Sequence, residues 1–151
     1  MREKSLSFRL LDTHVVAGRA DDVAYVDADG SLTFARLLHE SASLAGALNQ
    51  LGVQPGGTVH LDLTGRAEVL AVLALVRLEA RAEPGASVSL AGDPVVARVG
   101  DDEFAWDVLM KAGRGDPAPA ARFDSEDYAQ HALAEHGELL APLLAGEKLT
   151  R

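Results

Sequence analysis

The stretch "SLTFARLLHESASLAGALNQLGVQPGGTVHLDL" (31–63) carries the strongest local structural signals in this chain. Its apolar residues recur at three- and four-residue spacing up to Leu51, which predicts an amphipathic helix. Thr33 stands at the position of an N-cap, and Gly52 at the position of a left-handed residue that ends a helix. After a Pro-Gly-Gly corner, "TVHLDL" (58–63) alternates apolar and polar residues, as a strand does. The stretch therefore predicts one helix followed by one strand.

The sequence before this stretch predicts a helix and a hairpin. Apolar positions over residues 5–18 fit a first helix that ends at Gly18. Residues 23–34 fit two short strands joined around Asp29 and Gly30, because an Asp-Gly dipeptide tolerates the positive φ angles of a tight turn.

The sequence after the stretch alternates between helical and extended patterns. Residues between Val69 and Val76 are apolar on nearly all sides, so the helix that contains them should be deeply buried. The predicted elements are a helix over 65–82 capped by Thr64, strands at 86–90 and 95–99, a helix over 103–113 opened by Asp101 or Asp102, a loop at 113–122, and a terminal helix over 125–145 bent at Pro142. This alternation indicates an α/β fold, with a single domain over residues 1–151 and a largely parallel sheet flanked by helices.

Composition narrows the classes of function. A chain of 151 residues with 48% hydrophobic and 25% charged residues has the size and composition of one globular domain. The formal net charge of -9 argues against a nucleic-acid partner, and the lack of cysteine excludes disulfides and thiolate nucleophiles. The most apolar run, "VLAVLALV" (69–76), is too short to cross a bilayer, and the N-terminal residues do not form a signal peptide. We therefore expect a soluble, cytoplasmic protein without a membrane or nucleic-acid partner.

Residues 23–90 resemble the N-terminal subdomain of the adenylate-forming (AMP-binding) enzymes, which include acyl-CoA synthetases and peptide-synthetase adenylation domains. The resemblance rests on the order of threonine-aromatic pair, helix, Gly-Val, Pro-Gly and strand in 31–63, followed by "TGRAEVLAVLALVRLEARAEPG" (64–85). It implies the α/β fold of that first subdomain. Full-length members of this family activate a carboxylate with ATP. The segments that match here form the family's scaffold, so the resemblance implies none of this chemistry for them.

The chain departs from the family pattern at three places. Gly57 stands where the family has an aspartate, and Leu78-Glu79-Ala80-Arg81 stands where the family has a small Gly-Ala turn. In "RFDSEDYAQHALAEHGELLAPLL" (122–144), a phosphate loop rich in threonine, serine and glycine should lie between an acidic lead-in and a helix. The segment "HALAE" (131–135) stands there instead, without glycine or lysine. A phosphate cradle needs bare backbone N–H groups and a cation, whereas Glu135 would repel ATP.

The resemblance carries over no catalytic, cofactor-binding or metal-binding residue to this sequence. It also implies that the chain ends before the family's adenine-contacting motif, its ribose-binding aspartate and its catalytic lysine. We therefore expect a truncated, non-catalytic adenylation-like domain (a pseudoenzyme) that needs no cofactor and acts through protein contacts, as a homodimer or with a larger protein. Two alternatives stay open. The chain is the N-terminal half of a split acyl- or aminoacyl-adenylating ligase completed by a partner chain, or it binds an acyl group or nucleotide without turnover.

Two pairs of residues outside the family motifs could carry chemistry. His60 and Asp62 alternate on one face of the predicted strand and could act as a base and its orienting carboxylate. The simpler interpretation is a strand with one solvated face. His131 and His136 are five residues apart, whereas two helical metal ligands must be three or four apart to share a face. We therefore expect surface histidines and no metal site.

An acidic run and a group of aromatic residues complete the candidates. Asp101-Asp102-Glu103 could hold a divalent cation, although capping of the next helix already accounts for acidic residues there. Trp106, Phe104 and Leu109 fit a core or an interface better than a ligand-binding cluster.

Overall fold

The computed structural model describes residues 3–125 and 127–151. Their contacts group into two compact units. One unit contains the chain up to His39 together with Ala120–Arg151, and the other contains Glu40–Pro119. The prediction that one domain extends over 1–151 stays a prediction. Among the described residues, no helix combines the length and the apolar character that crossing a membrane requires.

The first unit contains a three-stranded sheet and two helical regions. The N-terminal region forms widened π-helical turns at Phe8–Asp12 and Val15–Arg19. The other elements are β1 (Val23–Asp27), β2 (Gly30–Thr33), α4 (Tyr128–Leu144) and β8 (Leu149–Thr150). In the sheet order β2-β1-β8, β1 pairs antiparallel with β2 and parallel with β8. The N-terminal turns are fixed to the end of α4, because Arg19 Nη2 donates a 2.8 Å hydrogen bond to the carbonyl oxygen of Gly146.

The second unit is a five-stranded sheet with helices. Its elements are the greater part of α1 (Phe34–Gln50), then β3 (Thr58–Asp62), α2 (Gly65–Leu78), β4 (Arg81–Ala82), β5 (Val88–Ala91), β6 (Val96–Val99), β7 (Asp102–Ala105) and α3 (Trp106–Gly115). In the order β4-β3-β5-β6-β7, the first three strands run parallel and the last three antiparallel. The α/β fold is therefore confirmed, but both sheets are mixed. The reason is the short connections between β5, β6 and β7, which permit only hairpins, whereas parallel neighbours need a longer crossover.

The elements with strong local signals form as predicted. The Thr33 hydroxyl accepts a 3.1 Å hydrogen bond from the Arg36 N–H and so caps α1. Gly52, with φ 102°, ends that helix in the left-handed region. The β1–β2 hairpin turns between paired Asp27 and Gly30. Every residue of α2 from Val69 to Leu78 is buried, which confirms the expected depth of this helix.

Two predicted helix boundaries in the second unit are wrong. The helix predicted over 65–82 ends at Leu78, because Glu79 takes a left-handed φ of 53° and the chain continues into β4. The helix predicted over 103–113 begins only at Trp106. Asp102–Ala105 is a strand instead, because it pairs with β6. The predicted loop at 113–122 is correspondingly helical as far as Gly115.

The two helical regions of the first unit also differ from prediction. The N-terminal turns continue to Arg19, and Gly18, with φ 90°, lies within them. The terminal helix begins at Tyr128, and Glu126, in the predicted range, lies outside the described residues. Its helical geometry breaks at His136 (φ -121°, ψ 24°) and not at Pro142. Gly137 follows directly, and glycine is a weak helix former that lets the backbone depart at this point.

Candidate functional site

The segment that the resemblance assigned to the phosphate loop is helical. Residues 131–135 lie within α4, and the backbone N–H of His131 donates a 3.0 Å hydrogen bond to the carbonyl oxygen of Asp127. Amides inside a helix are used in such bonds, so they cannot turn toward a phosphate. The Glu135 carboxylate lies 3.0 Å from His131 Nε2. This segment therefore presents a helix with a carboxylate where a cradle would need free amides and a cation.

His131 and His136 both approach the same carboxylate. His136 Nε2 lies 3.8 Å from Glu135 Oε1, on the other oxygen from the one that His131 contacts. In residues 3–125 and 127–151 there is no group of three histidine, cysteine or acidic side chains placed to hold a metal ion. His131, Glu135 and His136 thus form a small polar cluster on α4.

His60 and Asp62 lie on one face of β3, as the alternation predicts. The register places His60 opposite Ser89 of β5, Ser89 opposite Arg98 of β6, and Arg98 opposite Glu103 of β7. Paired residues of adjacent strands point to the same side of a sheet. The four side chains therefore form a polar row across the sheet, and sequence reasoning missed Ser89 because the pairing of β3 with β5 has no local signal.

The polar row has the character of a solvated face. Arg98 and Glu103 are exposed and form an ion pair, with Arg98 Nε 2.9 Å from Glu103 Oε1. His60 and Ser89 are half-buried, and no hydrogen bond between them occurs among the described residues. A nucleophilic serine needs its base within hydrogen-bond reach. The row therefore favours the solvated-strand interpretation of His60 and Asp62 over a catalytic one.

The acidic run Asp101-Asp102-Glu103 does not begin a helix. It forms the β6–β7 turn and the start of β7, so the predicted capping role is wrong. All three residues are exposed, and the ion pair of Glu103 with Arg98 links β7 to β6.

A half-open pocket of about 490 Å³ lies in the second unit, between the first half of α2, the segment that enters β6, and the start of α3. Trp106, expected in a core or an interface, is half-buried on its wall, whereas Leu109 is buried in the core. The lining residues are Arg66, Ala67, Leu70, Pro94, Val95, Val96, Ala105, Trp106 and Asp107. They come from three separate segments, so no sequence motif marks this pocket.

Comparison with known proteins gives a likeness in structure only. No protein-family model matches the sequence, and no curated protein matches it. Among solved structures, apo MatB from Rhodopseudomonas palustris aligns over 80% of this chain with a TM-score of 0.54 and 16% sequence identity.

Two further structures match about half of the chain. The anthranilate CoA ligase AuaEII aligns over 54% of this chain with 28% identity and a TM-score of 0.49. A benzoate CoA ligase from Burkholderia xenovorans aligns over 55% with 26% identity and a TM-score of 0.46. The matched segment makes up 16% of the first ligase, 17% of the second and 30% of MatB. The alignment with MatB confirms the expected fold: this chain has a fold similar to that of part of MatB.

Proposed function

We propose that this chain is a non-catalytic domain of adenylation-like fold that acts through contacts with other protein chains. The first half of the proposal, that the chain is non-catalytic, is based on the helical structure of residues 131–135 in α4. Residues 131–135 are held in a helix with a paired Glu135, in the place where the resemblance calls for a phosphate loop. A triphosphate that approached this helix would meet occupied amides and a carboxylate.

The likeness in fold to MatB supports the second half of the proposal, that the chain acts through contacts with other protein chains. The segment of MatB that matches this chain makes up 30% of that protein, so the rest of MatB is available to cover its surfaces. A unit of this fold therefore has surfaces suited to burial against another part of a protein or against another chain. One face of the five-stranded sheet is not expected to be such a contact surface, because it carries the polar row His60, Ser89, Arg98 and Glu103 and is suited to contact with water. We propose a homodimer or a complex with a larger protein through another surface.

Two measurements on the purified chain test the proposal. Carboxylate-dependent exchange of pyrophosphate into ATP should remain at the background rate over a panel of aliphatic, aromatic and amino acids. ATP should also leave the melting temperature unchanged, whereas ligand at a hundred times its dissociation constant stabilises a protein by about 2.7 kcal/mol. Exchange above background by the chain alone would refute the non-catalytic assignment.

The proposed contacts are tested separately by light scattering over a range of concentrations and by crosslinking in extracts of the source cells. We expect a concentration-dependent dimer or one stoichiometric complex. A monomer at all concentrations, together with no stoichiometric partner, would refute this half of the proposal and leave the first half intact.

A further inference from the structure

An apolar pocket lies open to solvent in the second unit. It has a volume of about 490 Å³ and lies between the start of α2, the segment that enters β6, and the start of α3. Leu70 forms a buried part of its wall, and Val96 and Trp106 are half-buried in the lining. Pro94 and Ala105 are exposed. Apolar walls in contact with water gain free energy when an apolar group displaces that water, so the pocket is suited to receive apolar side chains of another molecule.

Two exposed carboxylates accompany the apolar walls. Asp107 is part of the lining, and Asp93 directly precedes Pro94, which also belongs to it. Within residues 3–125 and 127–151, neither carboxylate has a hydrogen bond or an ion pair. Arg66, the basic residue of the lining, is half-buried and already has an interaction partner within the chain. The charges that this pocket presents to an incoming molecule are therefore acidic.

The charge of the whole second unit has the same sign. Glu40–Pro119 contains eleven acidic and six basic residues. A second copy of this unit would bring like charges together at the pocket, and an anionic membrane or a nucleic acid would be repelled in the same way. A partner with lysine or arginine side chains is attracted, both at a distance and beside Asp93 and Asp107. Charge complementarity thus selects a basic partner.

The arrangement of apolar and charged residues is that of a protein interface. Such interfaces have an apolar centre in which aromatic residues are enriched, and a polar rim that stays accessible to water. Here Leu70 and Trp106 belong to the apolar centre, whereas Asp93 and Asp107 belong to the rim. The volume of the pocket exceeds that of any one side chain, so several apolar side chains of a partner can enter it together. A short amphipathic segment supplies such a group of side chains.

We propose that this pocket is a docking site for a basic amphipathic segment of another protein. The apolar side chains of the segment lie against Leu70, Val96 and Trp106, and its lysine or arginine side chains face Asp93 and Asp107. This docking site rests on the proposed function, action through protein contacts, and it specifies the partner as a different, basic protein.

Peptides of about twelve residues serve as probes, because a helix of that length is about 18 Å long and crosses a pocket of this size. The first peptide contains leucine, lysine and serine, with the leucines at helical spacing on one face. In the second peptide each lysine is replaced by glutamate, and in the third each leucine is replaced by serine. Trp106 is the only tryptophan in the chain, so its fluorescence reports binding at the pocket wall. We expect a saturable change of emission with the first peptide and about tenfold weaker binding of the other two.

Variants at the carboxylates test the charge contacts. Asp93→Asn and Asp107→Asn should each weaken binding of the leucine-lysine peptide about threefold, and the double variant about tenfold. Lys111 is exposed one turn beyond Asp107 on α3, so Lys111→Gln should strengthen binding about twofold. Glu83→Gln is the matched control, because Glu83 is exposed and outside the lining, and it should leave the affinity unchanged.

Replacing Ala67 by phenylalanine tests the apolar contacts. Ala67 is half-buried in the first turn of α2, and a phenyl ring at this position would fill part of the pocket. Ala112→Phe adds the same ring at an exposed position of α3 outside the lining. We expect about tenfold weaker binding of the leucine-lysine peptide to Ala67→Phe and unchanged affinity of Ala112→Phe. The melting temperature of each variant verifies that it folds.

Three results would overturn the proposal. The first is the absence of a saturable change with the leucine-lysine peptide at millimolar concentration. The second is equal affinity for the leucine-lysine and leucine-glutamate peptides. The third is a double variant, Asp93→Asn with Asp107→Asn, that folds and binds the leucine-lysine peptide as tightly as the wild type does.

Crosslinking in cell extracts separates a failure of the docking site from a failure of the proposed function. A stoichiometric partner that the wild type and the Ala67→Phe variant capture equally would overturn the docking site and leave the proposed protein contacts intact. A wild-type chain without a dimer or any stoichiometric partner would refute the proposed contacts, and the docking site with them.

Discussion

Arg77 Nε donates a 2.8 Å hydrogen bond to the carbonyl oxygen of Ala118. Arg77 is 6% exposed and lies in the last turn of α2, among apolar residues. The Ala118 N–H in turn donates a 3.0 Å hydrogen bond to the carbonyl oxygen of Ala42 in α1. Ala118 thus joins α2 to α1 through both of its backbone groups, and the segment after α3 is fixed although its sequence reads as a loop.

Replacing Arg77 by methionine should lower the free energy of unfolding by about 1–3 kcal/mol. Methionine fills much of the same volume but leaves the half-buried Ala118 carbonyl without this donor, and a polar group that loses its partner while shielded from water costs up to that amount. Urea unfolding measures the change. Arg81→Met at an exposed position is the control and should have little effect. Equal effects of the two substitutions would show that the hydrogen bond from Arg77 to Ala118 contributes nothing to stability.

Replacing Gly113 by alanine should destabilise the second unit by about 3 kcal/mol. A Cβ atom at this position would overlap the backbone carbonyl of Ser43, so α3 would have to move away from α1. Gly115 lies two residues further along α3, and a Cβ atom added there would meet no atom of another segment within 4 Å, so Gly115→Ala should raise the stability by about 0.5 kcal/mol. Thermal unfolding of the two variants compares the effects. A Gly113→Ala protein as stable as the Gly115→Ala protein would contradict this close helix contact.

The parts of the fold that the sequence predicts are those with local causes. Thr33 caps α1, and Gly52 ends the same helix. The residues that favour the β1–β2 turn, Asp29 and Gly30, lie at the turn itself. The uninterrupted apolar run of α2 likewise predicts its burial from the sequence alone. Such signals act over a few residues, so an unaligned sequence contains them in full.

The parts that sequence reasoning missed have distant causes. Asp102–Ala105 has the acidic start of a helix, yet it becomes a strand because Ala97 and Phe104 pair across β6 and β7. Gly113 and its neighbours have the composition of a loop, yet contact with Ser43 selects the helix. The pocket joins residues of three segments whose proximity only the completed sheet creates. Tertiary contacts outweigh local propensity at each of these places.

Replacing Glu79 by glycine should stabilise the second unit, because Glu79 closes α2 with a left-handed φ of 53°. The closure is held by a 2.8 Å hydrogen bond from the Ala80 N–H to the Leu75 carbonyl, and the Cβ atom of any non-glycine residue strains it by about 1 kcal/mol. Glu79→Ala loses the same carboxylate but keeps the Cβ atom. The glycine variant should therefore exceed the alanine variant by about 1 kcal/mol in urea unfolding. Equal stability of the two variants would argue against strain at this position.

Replacing Leu149 by alanine should destabilise the first unit by about 2 kcal/mol, the lower end of the range for a buried leucine. Leu149 is 4% exposed, and β8 pairs it with Tyr25 in the middle strand of the sheet. The adjacent Thr150 is exposed, so Thr150→Ala should cost much less while leaving the backbone pairing of β8 in place. Hydrogen exchange of the β1 amides provides a second measurement, since loss of the Leu149 side chain should loosen β8 and speed exchange where the two strands pair. If Leu149→Ala is as stable as Thr150→Ala and exchange in β1 is unchanged, then β8 does not contribute to the stability of this sheet.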